Sequence, residues 1–283
     1  MKWWRSKLFR SSLAAGTLFF LAKSLFLDKY FFEVKRFKIG NQNSSKQVRM
    51  LLLTDLHFEK RLAPFYRRLA RTINAIHPDL ILVCGDTIDE DGQPAPARMF
   101  FSLINQSIPK IAIRGNHDHK NDVSLGALKK IYEQNNGTVL VNETKELTLH
   151  NTLLTITGVD DFIEGEGRFA DAVRTIGFRE HHFLLIHSPL QQEQVLDELR
   201  QINQGRDAAT QLNIQYIFAG HNHGGQVRLG PIVPVLPERS GNYINGWYNQ
   251  TKPFLYVSRG FGTSQVPFRF GARSEVTVFD YGV

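Results

Sequence analysis

Short apolar runs, each closed by a polar cluster, recur along most of this chain. Val48–Thr54 is one of them, with Met50, Leu51, Leu52 and Leu53 in succession. A run of that length bounded by polar residues predicts a buried strand. The period then changes. In Pro64–Ile76 the residues Tyr66, Leu69, Ile73 and Ile76 fall near helical spacing, which predicts an amphipathic helix closed by His77-Pro78-Asp79. His77 there reads as a helix C-terminal residue, not a ligand. Leu80–Val83 predicts a second buried strand, Ala97–Asn105 a helix, Lys110–Ile113 a third strand and Val123–Gln134 a helix with Gly137 as its stop signal. Thr138–Val159 reads as strands around a His150-Asn151 turn, followed by a loop whose Asp160 and Asp161 read as structural or rim acids. Arg168–Ile176 predicts a short helix, Phe183–Ile186 a strand, Gln191–Ile202 a helix and Ile214–Ala219 a strand. Gln226–Leu229, Phe254–Ser258 and Glu275–Phe279 predict strands joined by Pro- and Gly-rich loops, and Phe31–Ile39 predicts one near the start. Strands alternating with helices define an α/β fold.

The first 32 residues break this rhythm. Met1–Arg10 is basic and holds Trp3 and Trp4, and Leu13–Leu27 is largely apolar, interrupted by Lys23 and Ser24. Aromatic and basic residues beside an apolar run suit a membrane interface, although a full span wants ~20 apolar residues. Three readings stand: a short or tilted single-span membrane helix, an interfacial amphipathic helix, or a cleaved signal peptide. No Ala-x-Ala-like cleavage site follows Leu27, and no Arg-Arg pair precedes the run. The chain therefore divides into residues 1–32, a basic N-terminus and anchor, and residues 33–283, a catalytic domain. The expected location is the cell membrane, single-pass or peripheral, on a side the sequence does not decide.

Charge sharpens that division. The net charge is +7 over 283 residues. Residues 1–46 carry ten Lys and Arg against Asp28 and Glu33, a net +8 that leaves −1 for the remainder. A nucleic-acid-binding body would carry its own basic face, so no nucleic-acid partner is expected. Cys84 is the single cysteine, which excludes an internal disulfide framework and a Cys-rich zinc site. It lies in an apolar run and reads as an inert buried thiol.

The polar clusters at the strand ends carry the chemistry. The first strand ends in Asp55-Leu56-His57, the second in Gly85-Asp86-Thr87-Ile88-Asp89 and the third in Gly115-Asn116-His117-Asp118. Later, Phe183–Ile186 runs into His187-Ser188-Pro189, and Ile214–Ala219 into Gly220-His221-Asn222-His223-Gly224-Gly225-Gln226. His181 and His182, just ahead of one strand, read as surface residues. In α/β sheets the functional crevice lies at the strand C-termini. In extended backbone His221 and His223, two apart, point to the same side. Asp55, His57, Asp86, Asn116, His187, His221 and His223 together offer O and N donors without sulfur. They are too many for one four-coordinate zinc and suit two divalent ions sharing a short bridging carboxylate, for which Asp86 fits. Mixed imidazole and carboxylate donors suit Mn, Fe, Zn or Co.

The order of these motifs resembles the calcineurin-like metallophosphoesterase superfamily over about residues 48–283. That resemblance implies a four-layer sandwich, two mixed β-sheets flanked by helices. It implies one metal on Asp55, His57, Asp86 and His223, and the other on Asp86, Asn116, His187 and His221. His117 matches the residue beside the leaving group, Asp118 the acid that orients it, and Asp89 a usually structural aspartate. The implied reaction is attack of a metal-bridged hydroxide on a phosphoester, with His117 stabilising or protonating the departing oxygen. Glu90-Asp91 stand where phosphoprotein phosphatases carry Arg-Gly, which disfavours that activity. Non-catalytic relatives lack the histidine at the position of His117.

Gly220–Gln226 and Leu255–Gly262 look closest to a bacterial membrane-associated branch of YkuE/YaeI type. It includes the chlamydial UDP-2,3-diacylglucosamine pyrophosphatase of lipid A synthesis. Asn222 departs from the Thr usual in that branch. The expected function is hydrolysis of a phosphodiester or pyrophosphate in a lipid-linked substrate such as UDP-2,3-diacylglucosamine. The alternatives are a general phosphomonoesterase or nucleotide phosphodiesterase, or a membrane-tethered metal-binding adaptor. Arg228, Arg259 and Arg269 are candidate phosphate or head-group contacts, and Trp247, Tyr248 and Phe261 candidates for an apolar rim.

Overall fold

The computed structural model describes residues 28–283. The basic N-terminus and most of the expected anchor lie outside the described residues. Among the described residues no helix is long and apolar enough to cross a membrane.

After a helical turn at Asp28–Tyr30, the chain forms β1 (Glu33–Gly40), β2 (Gln47–Leu53), α1 (Pro64–Ile76), β3 (Leu80–Cys84), α2 (Pro94–Ser102) and β4 (Lys110–Ile113). Then come α3 (Asn116–Lys120), α4 (Leu125–Glu133), β5 (Gly137–Val139), β6 (Glu143–Leu149), β7 (Thr152–Gly158), α5 (Phe169–Ala172) and β8 (His182–Leu185). The C-terminal part holds α6 (Gln191–Gln204), β9 (Ile214–Ala219), β10 (Gly246–Tyr248), β11 (Phe254–Val257) and β12 (Glu275–Gly282). One six-stranded sheet runs β1-β12-β2-β3-β4-β5 and the other β10-β11-β9-β8-β7-β6. Both are mixed: β2 to β5 are parallel while β12 pairs antiparallel with β2, and β7, β8, β9 and β11 are parallel while β6 and β10 run antiparallel at the edges.

The apolar runs explain the layers. Along β2, Met50 and Leu52 enter the core between the sheets, with Leu82, Ile113, Ile156, Phe183 and Phe218. Leu51 and Leu53 point the other way, into a second core with Phe100 and Ile131 under α1, α2 and α4. Side chains alternate faces along a strand, so an unbroken apolar run fits a strand buried on both sides. A third core packs Leu184, Ile217 and Leu255 with Val195 and Leu199 of α6. The result is four layers: helices, sheet, sheet, helices.

Several expectations shift. The second helix starts at Pro94, because proline is tolerated in a first turn where its missing N–H has no partner. Gln226–Leu229 is not a strand. Gln226 has φ 47°, and Val227 and Leu229 make only isolated bridges. His182 is fully buried, not on the surface, with Nε2 2.7 Å from Thr157 Oγ1. Burial, then Arg179, pushes its imidazole down to about 4. His181 is half-buried against the Tyr281 hydroxyl at 2.8 Å. His77 closes α1 in the left-handed conformation.

Candidate metal centre

The turns after β2, β3, β4, β8 and β9 meet at one end of the sandwich. Main-chain bonds weave them together: Asp55 N donates to Gly85 O at 3.1 Å, His57 N to Asp86 O at 2.9 Å, and Gly220 N to His187 O at 2.9 Å. Gly220 lies so close to Thr54 and Asp55 that a Cβ there would collide with both. Asp55, His57, Asp86, His221 and His223 all have left-handed backbones, with φ of 52°, 45°, 50°, 69° and 49°. That conformation costs roughly 1–2 kcal/mol per residue, and such strain clusters at functional sites. It also corrects the extended reading of His221 and His223. Asn222 between them is helical (φ −83°, ψ −5°), so the two rings diverge.

The divergence creates two groups of side chains. Asp55, His57 and His223 form one, and Asp86, His187 and His221 the other. His57 Nε2 lies 3.1 Å from His223 Nε2, and His223 Nε2 3.6 Å from Asp55 Oδ1. His187 Nε2 lies 3.1 Å from Asn116 Oδ1. Asp86 stands between the groups, its Oδ2 3.5 Å from His57 Nε2 and 3.3 Å from His187 Nε2. Its Oδ1 accepts from His117 N at 2.9 Å.

The donor chemistry fits cations. His187 Nδ1 donates to Cys84 O at 2.9 Å, and His221 Nε2 to Glu238 O at 2.8 Å. Each neutral ring then keeps a lone pair on its other nitrogen. The His187 lone pair faces an amide oxygen and a carboxylate oxygen, all acceptors, at hydrogen-bond distance. Such a convergence repels unless a proton or a cation lies within it. Burial alone would lower His187, but Asp86, Asp55 and Asp161 outweigh it and push the ring up to about 10. Burial and the neighbouring His187 push His221 down to about 3. Burial would raise Asp86, yet His187, His57 and His117 hold it well below the usual carboxylate range.

His117 sits at the accessible side of the centre, its ring centroid 4.6 Å from that of His57. Its Nε2 is 3.3 Å from Ser264 Oγ. Its Nδ1 is 3.1 Å from Asp89 Oδ1, at ion-pair distance but off the hydrogen-bond direction. The same Asp89 oxygen takes the His57 Nδ1 proton at 2.9 Å. Asp89 is therefore the acid that faces His117. Asp118, expected in that place, instead accepts from the backbone of Ile88, Gly115 and Thr87 at 2.9–3.1 Å. Its oxygens are consumed in tying the β3 and β4 turns together.

The expected phosphate contacts are engaged elsewhere. Arg259 pairs with Glu275 at 2.6 Å and with Glu33. Arg269 is fully buried, donating to the carbonyls of Gly262, Ala272 and His223 at 2.8–3.2 Å and lying 3.1 Å from His223 Nδ1. Arg228 holds Asn245 Oδ1 at 2.9 Å. The expected apolar rim dissolves too. Phe261 is buried, Trp247 packs on Phe37 and Tyr256, and the Tyr248 hydroxyl accepts from Ile244 N. Asp160 pairs with Arg114 and His119, and Asp161 accepts from the backbone of Ile163 and Glu164. Sequence reasoning missed Ser264 and the Arg269–His223 contact. Neither sits in a motif, and both come from loops that only the fold brings near.

The profile of the calcineurin-like phosphoesterase family matches residues 48–225. The chain belongs to that family. The uncharacterised metallophosphoesterase YkuE of Bacillus subtilis is 30% identical over 218 residues, which cover 74% of this chain and 69% of YkuE. The metallophosphoesterase YkoQ of the same organism is 25% identical, covering 82% and 83%. An archaeal phosphodiesterase structure covers 75% of this chain and 84% of its own, with a TM-score of 0.39 and 12% identity. The chain is thus a metallophosphoesterase, a phosphoester hydrolase whose family uses two divalent metals.

Proposed function

We propose that this metallophosphoesterase hydrolyses a phosphodiester or pyrophosphate bond of a lipid-linked substrate at a membrane surface. A nucleotide diacyl sugar of the UDP-2,3-diacylglucosamine kind is the substrate type in view, and the YkuE/YaeI-type branch the relationship. The observation that carries the hydrolytic part is Asp86 Oδ2, shared at 3.3 and 3.5 Å between imidazoles of the two ligand groups. The membrane part is supported by the basic and apolar sequence of residues 1–27 and by exposed apolar loops beside the centre.

Asp55, His57, Asp86 and His223 would hold one divalent ion, and Asp86, Asn116, His187 and His221 the other. Two such ions supply Lewis acidity, activating water near neutral pH and neutralising the phosphoryl oxygens. The chain's own residues do the rest. His117 Nε2 is the proton donor nearest the opening. Burial would lower that ring, but Asp89 and Asp86 outweigh it and raise it above its ordinary value, favouring the imidazolium that stabilises a departing oxygen. Ser264 Oγ lies 3.3 Å from that nitrogen and orients it.

The test is turnover by full-length protein reconstituted with Mn, Zn, Co or Mg. Substrates are bis(p-nitrophenyl) phosphate, soluble nucleotides and a nucleotide diacyl sugar in mixed micelles. The expected outcome is metal-dependent cleavage, fastest on the acylated substrate, and a loss of roughly 10²–10⁴-fold in His117→Ala. Activity confined to soluble nucleotides would overturn the lipid-linked part, and unchanged turnover after metal removal the hydrolytic mechanism.

A further inference from the structure

The loop after the last two ligand histidines is exposed and apolar. Leu229 is 55%, Ile232 62% and Val235 75% exposed, with Pro231 and Pro234 exposed between them. Exposed apolar residues scattered singly are normal, but a contiguous group is the mark of an interaction surface. This loop is also anchored. At its start, Arg228 N donates to Phe270 O at 2.6 Å. In its middle, Val233 lies so close over Gly225 that a Cβ there would collide. At its end, Glu238 O accepts from the ligand histidine His221. Its apolar side chains therefore stand at the rim of the metal centre. Val266, 38% exposed, joins them on the loop that Gln226 Nε2 holds through the carbonyls of Ser264 and Val266 at 2.8 and 2.9 Å.

The described chain begins at the same place. Asp28 Oδ2 accepts from Gly271 N at 2.8 Å, and Gly271 packs against the Arg228 backbone at the root of the loop. Asp28 is the residue directly after the apolar run Leu13–Leu27, which follows a segment carrying Lys2, Arg5, Lys7 and Arg10. Arg273, half-exposed, lies beside Asp28. A basic, apolar segment thus joins the body at the foot of an exposed apolar loop.

We propose that Leu229, Ile232, Val235 and Val266 form the face that docks on an anionic phospholipid bilayer, so that the metal centre opens toward the headgroups. This rests on the membrane reading above and names the surface it uses. Apolar side chains enter the headgroup–acyl boundary while basic groups meet anionic lipid. A lipid-linked phosphoester could then reach His117 without leaving the bilayer.

The test uses full-length protein, and its readout does not depend on hydrolysis. Cys84 is buried, so an added cysteine is the reactive one. Val235→Cys, Ile232→Cys and, as a remote control, Leu153→Cys near the start of β7 are each labelled with an environment-sensitive fluorophore. Each is mixed with vesicles of phosphatidylcholine and phosphatidylglycerol carrying a spin-labelled lipid. The labels at 232 and 235 are expected to shift to the blue and be quenched, at a depth of roughly 5–10 Å, while the label at 153 stays in water. Equal behaviour at all three positions in vesicle-bound protein, or no binding to the vesicles, would overturn the proposal. So would a response at 235 that follows protein concentration instead of lipid, since a second copy would then cover this face.

Discussion

The two halves of the metal centre are built from similar residues but braced differently. In the Asp86, His187 and His221 half, each ring gives its outer N–H to a main-chain carbonyl. That fixes the tautomer and leaves the inner nitrogen free to bind metal. In the Asp55, His57 and His223 half, His57 gives its outer N–H to Asp89, but the outer nitrogen of His223 faces the Arg269 guanidinium at 3.1 Å. A guanidinium only donates, so that nitrogen accepts and the neutral ring carries its proton on the inner side, toward His57. Binding of a metal by His223 would require that proton to be given up to solvent, beside a buried positive charge. The lesson is that donor type alone does not set affinity, and that the group behind each ring does. The His187 half should fill first, and the His223 half should exchange more readily.

Four substitutions sharpen or break this contrast. The largest effect is expected where the halves meet. Asp86→Asn removes the shared anion and should lower kcat by roughly 10²–10³-fold or more, with fewer than two metals per chain by elemental analysis. Two tightly held ions in that variant would show that the halves do not depend on a common carboxylate. Next, His187→Ala should remove the tighter step of a calorimetric Mn titration and His223→Ala the looser one. Bracing of this kind is worth roughly 10–100-fold in metal affinity, and indistinguishable titrations would erase the asymmetry. The smallest effect is expected from Asp89→Asn. Under the proposed mechanism the His117 imidazolium assists the leaving group, so activity should fall as pH rises through its pKa. Asp89 raises that pKa, and removing its charge should move the alkaline limb of the kcat profile to lower pH. A limb that stays put would exclude His117 as the titrating acid.

The candidate ligands were legible because they crowd the ends of short apolar runs, as in Asp55-Leu56-His57 after β2 and His187 after β8. An apolar run predicts a strand from local pattern, and a strand's C-terminal turn is a fixed place in an α/β sheet. The supports were less legible. Asp118 and Asp89 both follow strands whose ends carry candidate ligands. Which of them faces His117 depends on how the β3 and β4 turns pack, and the nearer one in sequence spends its oxygens on backbone N–H groups. His182 looked exposed because it precedes a strand, yet a one-residue shift in where β8 begins put it in the core, with its ring on the Thr157 hydroxyl. The apolar rim expected at Trp247, Tyr248 and Phe261 was misplaced for a similar reason. Aromatic residues mark loops and cores alike, and only the fold shows that Phe261 lies in the core and that Trp247, still 38% exposed, sits on an edge strand against Phe37 and Tyr256.

By itself, then, the sequence determined the alternation of strands and helices, the position of each candidate donor at a strand end and a pool of oxygen and nitrogen donors suited to two cations. These follow from local periodicity and residue chemistry. The tertiary structure alone decided that His221 and His223 diverge through left-handed backbones and that Arg269 stands behind one of them. It also decided that the loop from Leu229 to Val235 faces outward beside the entry of residue 28. Each of these joins segments far apart in the chain, and no local pattern encodes which distant loop a ring or a guanidinium will meet.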